Sequence, residues 1–407
     1  MPLQVDKIED HQALETGSEE RPRVLVCVPR YLPGYKSGGP IRSVSNMIGY
    51  LASKYEFFVV TRDRDASDKV TYPGIQPGVW HRVSGAQVLY CSSIGREVLR
   101  RAYRDVQPSA IVLNSFHDTF TRVMLLLRRA GVFGRTPIIL APRGEFSPGA
   151  MQIKSWKKRL YRLATRTIGF HEDLLWQVSS AREKLELLQA APARRIDERC
   201  VFVAQNVSDP LPAAAQHPPK AAGAVKFVFI SRITEMKNLR FLLDILPELH
   251  GTVQLSVYGP VAEKDAVYWK RCKEFLDKLP ANISAKYYGP IDHSAVSRVL
   301  HEHHFFVLPT KGENFCHSAV ESLINGTPVL LSDQTPWTNL RNTYAGFDIT
   351  LDDRNAWIST LQACIDMGQE VYSNYLRGAL EYGRRFSPEE AVREQLALFD
   401  AALHLSS

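Results

Sequence analysis

The stretch KGENFCHSAVESLINGTPVLLS, residues 311–332, reads as a Gly-containing turn, a short amphipathic helix, a second Gly turn and a β-branched apolar strand. With Asn314 as N-cap, Phe315, Ala319, Val320 and Leu323 fall on one helix side. His317, Ser318 and Glu321 fall on the other, which keeps Glu321 out of the expected core. Two carboxylates, Glu313 and Glu321, thus flank a helix start, with Cα atoms roughly 10–12 Å apart at 1.5 Å rise per residue. An acid/base carboxyl pair of the glycosidase kind needs about 5–9.5 Å, so that reading fits less well. A clamp fits better: the amides of Asn314, Phe315 and Cys316 face an anion while the glutamates accept hydroxyls. That combination suits a nucleotide sugar.

The same alternation of helix and buried strand runs outward through the chain. Apolar runs VLVCVP, EFFVVT, AIVLNS, PIILAP, LLWQVS and VFVA begin at Arg23 and are separated by helical stretches. After the Pro- and Ala-rich SDPLPAAAQHPPKAAGA, the alternation restarts with KFVFIS, VQLSVYG, AKYYG, FFVLPT and PVLLS. Continuous apolar strands spaced by helices predict parallel sheets covered on both faces. The expected fold class is therefore α/β, with two doubly wound domains. The expected boundaries are a disordered acidic tail over 1–20, an N-terminal domain over 21–206, a linker over 207–224 and a C-terminal domain over 225–380. A helix over 381–407 is expected to pack back toward the N-terminal domain.

The 407 residues are too many for one ordinary core. No apolar run approaches the roughly 18 residues that span a bilayer, and the start has no apolar signal region, so a cytoplasmic location is expected. The six cysteines show no short metal spacing and are expected to be reduced. Net charge is +7, but residues 21–200 carry 30 Lys and Arg against 14 Asp and Glu, a balance of +16. Basic charge permits nucleic-acid binding, yet no nucleic-acid motif supports it.

Several clusters suggest chemistry. In KFVFISRITEMKNL, residues 226–239, Arg232 follows a strand and Lys237 stands at the next helix entrance, where ligands of open α/β sheets bind. In SGGPIRSVS, residues 37–45, Gly38 and Gly39 allow close backbone approach, although neither a dinucleotide fingerprint nor a P-loop is present. Arg143 and Glu145 end the strand PIILAP, and His117 ends AIVLNS. The following helix carries Lys154, Lys157, Lys158, Arg159, Arg162 and Arg166 beside Trp156, Leu160 and Leu163, which suits an anionic membrane surface or a phosphate-bearing acceptor. Asp63 and Asp65 spell DxD, read as a charged surface turn rather than a metal site, and His301, His303 and His304 read as a loop cluster.

Taken in order, the Gly-Gly turn, SRITEMKN, VYGP at 257–260 and GENFCHSAVESLINGTPVLLSDQTPW closely resemble the retaining glycosyltransferases of family four, from about residue 23 to the C-terminus. The resemblance implies the GT-B fold, two Rossmann-like domains facing across a cleft. It implies that Arg232 and Lys237 neutralise a donor diphosphate, Glu313 holds donor-sugar hydroxyls, Glu321 the ribose, and Gly38, Gly39 and Gly259 lie in the donor site. Asn206 matches the interdomain hinge. It implies a UDP- or GDP-linked donor, retention of anomeric configuration, and neither metal nor cofactor.

Two departures stand out: Cys316 occupies a position where many relatives have Gly, and Arg143 one where many have His, which makes Arg143 or His117 the acceptor-side candidate. The PRGEFSPGA and DQTPW stretches resemble a branch associated with bacterial polysaccharide assembly, implying a glycan or polyprenyl-diphosphate-linked acceptor. With the basic N-terminal domain, this suggests peripheral attachment to the inner face of the cell membrane. The alternatives are a nucleotide-sugar epimerase on the same fold and a non-catalytic nucleotide-sugar-binding subunit.

Overall fold

The computed structural model describes residues 21–66, 68–152, 155–190, 192–210 and 216–405. The expected acidic tail over 1–20 and Lys154 lie outside them, as do the side chains of Lys157 and Lys158. The chain forms two compact units, residues up to 207 with 389 onward, and residues 208–388.

The first unit is built on β1 (Arg23–Cys27), β2 (Glu56–Arg62), β3 (Trp80–Val83), β4 (Ala86–Cys91), β5 (Ala110–Asn114), β6 (Ile138–Ala141), β7 (Leu175–Val178) and β8 (Val201–Val203). Their order in the sheet is β3-β4-β2-β1-β5-β6-β7-β8, with only the β3–β4 pair antiparallel. Successive residues of β1 feed opposite cores: Val24 and Val26 pack on one face, Leu25 and Cys27 on the other. That alternation explains why its sequence is apolar throughout. The final helix, Pro388–His404, places Leu398, Phe399 and Ala402 in the first of these cores, and Phe399 meets Tyr55 at 5.1 Å between rings.

The second unit holds β9 (Ala224–Ile230), β10 (Thr252–Tyr258), β11 (Ile283–Gly289), β12 (Phe305–Leu308), β13 (Val329–Ser332) and β14 (Gly346–Ile349), in the order β11-β10-β9-β12-β13-β14. All five pairings are parallel. The chain winds one way from β9 to β10 and β11, then returns to β12 on the other side. A crevice opens where the winding reverses, between the carboxyl ends of β9 and β12. In the first unit the equivalent reversal lies between β1 and β5.

The β3–β4 hairpin and β14 are absent from the sequence expectations. Strand β14, GFDI, is four residues long with a Gly and an exposed Asp, too short for periodicity to register. Residues 216–223, expected as linker, belong to the second unit, where the buried Lys220 ammonium donates to the carbonyls of Ile365 (2.9 Å) and Met367 (2.8 Å). Among the described residues, no helix is long and apolar enough to cross a membrane.

Candidate active site

In the second unit, the loops after β9 and β12 meet at the winding reversal. The β12 loop is fastened to the β9 loop by the Lys311 amide, which donates to the Met236 carbonyl at 2.8 Å, and to the turn after β13 by the Glu313 amide, which donates to the Gln334 carbonyl at 3.0 Å. These bonds bring the Lys237 ammonium onto the Glu313 carboxylate, an ion pair whose side chains are only 14% and 11% exposed. Arg232, also on the β9 loop, is exposed and makes no hydrogen bond or ion pair among the described residues. The site therefore presents one internally neutralised pair beside one unengaged cation.

Gly259 shapes the floor of this crevice. Its φ is +145°, and a Cβ there would fall 1.7 Å from the Ser231 carbonyl oxygen, so no side chain fits while β9 and β10 remain in register. Its role is thus to let two strand ends approach.

The helix after the β12 loop begins later than the sequence suggests. It spans His317–Ile324, its N-cap is Cys316 rather than Asn314, and Cys316 adopts the left-handed conformation (φ 61°, ψ 63°). The first turn closes on Cys316, whose carbonyl accepts from the Ala319 amide at 3.0 Å and the Val320 amide at 3.1 Å. Phe315 is buried instead, packing on Trp337 and Phe386, and its carbonyl accepts the Trp337 indole N–H at 2.8 Å. Burial pushes the Cys316 thiol up to about 12, followed in weight by the Glu313 carboxylate, so it is neutral near pH 7.

Glu321 corrects a second expectation. Rather than lying on an outer face it is 7% exposed, because helix Gln369–Gly383 packs closely on this helix at Gly383. The helix is buried on nearly every side, so wheel geometry could not sort its faces. Beside Glu321 stand Asp209, from the chain entering the second unit, and His293, the first residue of helix His293–His301, whose Nε2 lies 3.1 Å from Asp209 Oδ2. No motif in the sequence announces either residue.

In the first unit, the expected site residues are engaged in structure. Asp63 and Asp65 are buried, not a surface turn. Asp65 accepts the amides of Tyr35 (2.7 Å), Lys36 (3.0 Å) and Ala66 (2.7 Å), fixing the loop that leads to Gly38. Burial raises the Asp63 pKa, but hydrogen bonds from Arg64 and Ser92 outweigh it and hold the carboxyl below its usual range. Gly38 has φ +63° before helix Gly39–Leu51, with open space where a Cβ would stand, so its need for glycine is conformational.

Arg143 donates twice to Asn114 Oδ1 (3.0 and 2.7 Å) and once to Asn206 Oδ1, and desolvation lowers its pKa to about 10. Its guanidinium is committed to two asparagines. The His117 amide donates to Glu145 Oε2 at 2.9 Å, and its ring packs against Phe116 and Tyr161. His301 closes helix His293–His301, and His303 and His304 lie in the loop before β12, as expected, where both are buried with backbone partners.

The family model for glycosyl transferases group 1 matches residues 213–340, the part of the second unit that holds the Lys237–Glu313 pair and Glu321. A comparison of the sequence with curated proteins gives no match. Among solved structures, sucrose-phosphate synthase from Thermosynechococcus elongatus is similar at a TM-score of 0.72 and 15% identity, covering 94% of this chain and 99% of that one. HepE from Anabaena, in complex with UDP and glucose, gives 0.69 and 12%, covering 94% and 100%. WaaG, a glycosyltransferase involved in lipopolysaccharide biosynthesis, gives 0.62 and 12%, covering 91% and 98%. These likenesses show the fold, the GT-B architecture of two Rossmann-like parallel-sheet units.

Proposed function

We propose that the protein is a retaining, metal-independent glycosyltransferase that moves a sugar from a UDP- or GDP-linked donor to a glycan or lipid-linked glycan in cell-surface polysaccharide synthesis. The observation that carries the reading is the Lys237–Glu313 ion pair at the winding reversal of the second sheet. It lies within the segment matching the glycosyl transferase group 1 model, and HepE, of the same fold, binds UDP and glucose.

A donor diphosphate brings negative charge that Arg232 and Lys237 attract, releasing Glu313 to accept sugar hydroxyls. The N-terminal end of helix His317–Ile324 favours the anion through its dipole, and Glu321 holds the ribose. In the transfer, the acceptor oxygen bonds to the anomeric carbon, the bond from that carbon to the diphosphate oxygen breaks, and the acceptor proton passes to the leaving phosphate oxygen. Negative charge grows on the diphosphate, so preorganised cations lower the barrier. Arg143 acts here as a positioning residue, through Asn114 and Asn206.

Attachment to the inner face of an anionic membrane is part of the proposal. On helix Ser155–Thr167, Trp156, Leu160 and Leu163 recur at i, i+4 and i+7 and are at least 60% exposed, with Arg159 and Arg166 exposed beside them. Apolar side chains and cations on one exposed helix suit such a surface. Co-sedimentation with anionic vesicles that weakens in high salt is expected, and no binding at low salt would remove this part.

The donor reading is tested by thermal shift with UDP, GDP and ADP in EDTA, on wild type and Glu321→Ala. A ligand at 100 times its dissociation constant adds about 2.7 kcal/mol, so one nucleotide should raise the melting temperature of wild type and not of the variant. No shift with any nucleotide overturns the donor site. Donor conversion that proceeds without any acceptor would favour the epimerase.

A further inference from the structure

We infer that Asp209, His293 and Glu321 form a binding site for a divalent transition-metal ion of the Zn²⁺ class, and that the metal competes with the donor nucleotide. One ligand atom from each residue lies within 4.8 Å of the other two. The three come from separate segments of the second unit: the chain entering it, the start of helix His293–His301, and helix His317–Ile324. Ligands about 2.1 Å from a tetrahedral zinc stand roughly 3.4 Å apart, and the Asp209 Oδ2 to His293 Nε2 separation is already 3.1 Å. Small side-chain rotations bring the third atom to that spacing.

The chemistry of the set selects the ion. Two carboxylates facing one neutral imidazole carry a formal charge of −2, which a dication cancels. An imidazole among the ligands favours Zn²⁺, Co²⁺ or Ni²⁺ over Mg²⁺ and Ca²⁺, which take oxygen shells. Three protein ligands leave at least one coordination position open. Access is provided by His293, whose side chain is 51% exposed, while the buried Glu321 forms the inner wall.

Competition follows from Glu321 alone, and this half of the inference rests on its role as ribose ligand in the proposed function. Coordination to a metal takes carboxylate lone pairs that the ribose hydroxyls would use, so the two ligands compete. The metal is thus an inhibitor, consistent with a transfer step that needs none, and its removal returns the carboxylate to the nucleotide.

The test uses the full chain stripped with EDTA and then titrated with Co²⁺, with parallel titrations of His293→Ala and Asp209→Asn. Wild type should develop visible d–d absorption saturating near one equivalent and displaced by Zn²⁺, and both variants should bind at least tenfold more weakly. No absorption, or absorption unchanged in both variants, overturns the site. UDP binding is then measured with and without Zn²⁺. Zn²⁺ should weaken it in wild type and leave it unchanged in His293→Ala. Metal binding by wild type with equal UDP affinity in both conditions overturns competition and leaves the site. A failure of UDP to bind under any condition concerns the donor reading, because the Co²⁺ titration contains no nucleotide.

Discussion

The two units bury charge in different ways. In the first, carboxylates grip backbone: Glu145 accepts from Ser115 Oγ (2.6 Å) and the amides of Phe116 (2.8 Å) and His117 (2.9 Å), while Glu183 accepts from the Gly144 amide (2.7 Å) and from Ser179 twice. In the second, the corresponding carboxylates face side chains, Glu313 against Lys237 and Glu321 against the Asp209–His293 pair. A carboxylate bonded to amides holds a loop in place whether or not a ligand is present. One paired with an ammonium can exchange its partner for a ligand group of the same charge type. Glu145 and Glu183 thus fix loops in the first unit, whereas Glu313 remains exchangeable in the second.

The largest expected effect tests the exchangeable half. Lys237→Ala removes the cation proposed to face the leaving diphosphate, and kcat/KM for donor turnover should fall about 10²- to 10³-fold, as when one preorganised electrostatic donor is lost. Steady-state kinetics on the donor named by thermal shift read this directly. If the variant turns over normally and merely melts earlier, the pair is a structural clasp and the contrast between the units collapses.

Glu145→Ala tests the fixed half. It leaves one hydroxyl and two amides at the end of β5 without their acceptor, at about 1 kcal/mol or more each, so a stability loss of about 3 kcal/mol is expected. Urea unfolding measures it, and nucleotide affinity should be unchanged, because Lys237, Glu313 and Glu321, proposed to hold the donor, sit on the other unit. A variant of full stability with reduced donor affinity would reverse the assignment.

These two residues also mark what the sequence discloses. The strands were legible because parallel strands buried on both faces are apolar throughout, and Lys237 and Glu313 were legible because each follows such a strand. Their pairing was not, since 76 residues separate them and only the sheet order brings β9 beside β12. The burial of Asp63 and Asp65 was hidden for a related reason: Asp65's partners are amides of a loop 30 residues earlier, and no side-chain pattern records an amide's direction. Asp209 and His293 belong to no motif at all.

A smaller effect concerns acid. The second unit contains four histidines held below their ordinary range, His217, His301, His303 and His304, each chiefly by desolvation. His304 is lowered to about 4, with Lys220 and Lys226 adding to the effect of burial. Its folded pKa lies below its unfolded value of about 6.5, so the unfolded chain takes the proton first. The contribution to stability is full above pH 6.5 and is lost as pH falls toward 4. Urea midpoints measured from pH 7 to pH 5 should therefore fall, and fall less steeply in His304→Gln. Equal slopes would place the acid sensitivity elsewhere.

The smallest effect comes from Cys316→Gly, and it sharpens the view of the exchangeable site. A non-glycine residue held at φ 61°, ψ 63° costs about 1–2 kcal/mol, which glycine relieves. Against this, glycine adds about 0.5–1 kcal/mol of chain entropy to the unfolded state. It also forfeits about 0.8 kcal/mol for each buried group of methylene size, here a side chain only 4% exposed. The terms nearly cancel, so the melting temperature should scarcely move. Turnover then becomes informative. Cys316 leads into the first turn of helix His317–Ile324, and a faster variant of unchanged stability would mean that the thiol crowds the diphosphate. Unchanged turnover is the expected result, because the side chain is buried in one core cluster with Phe315 and Val320.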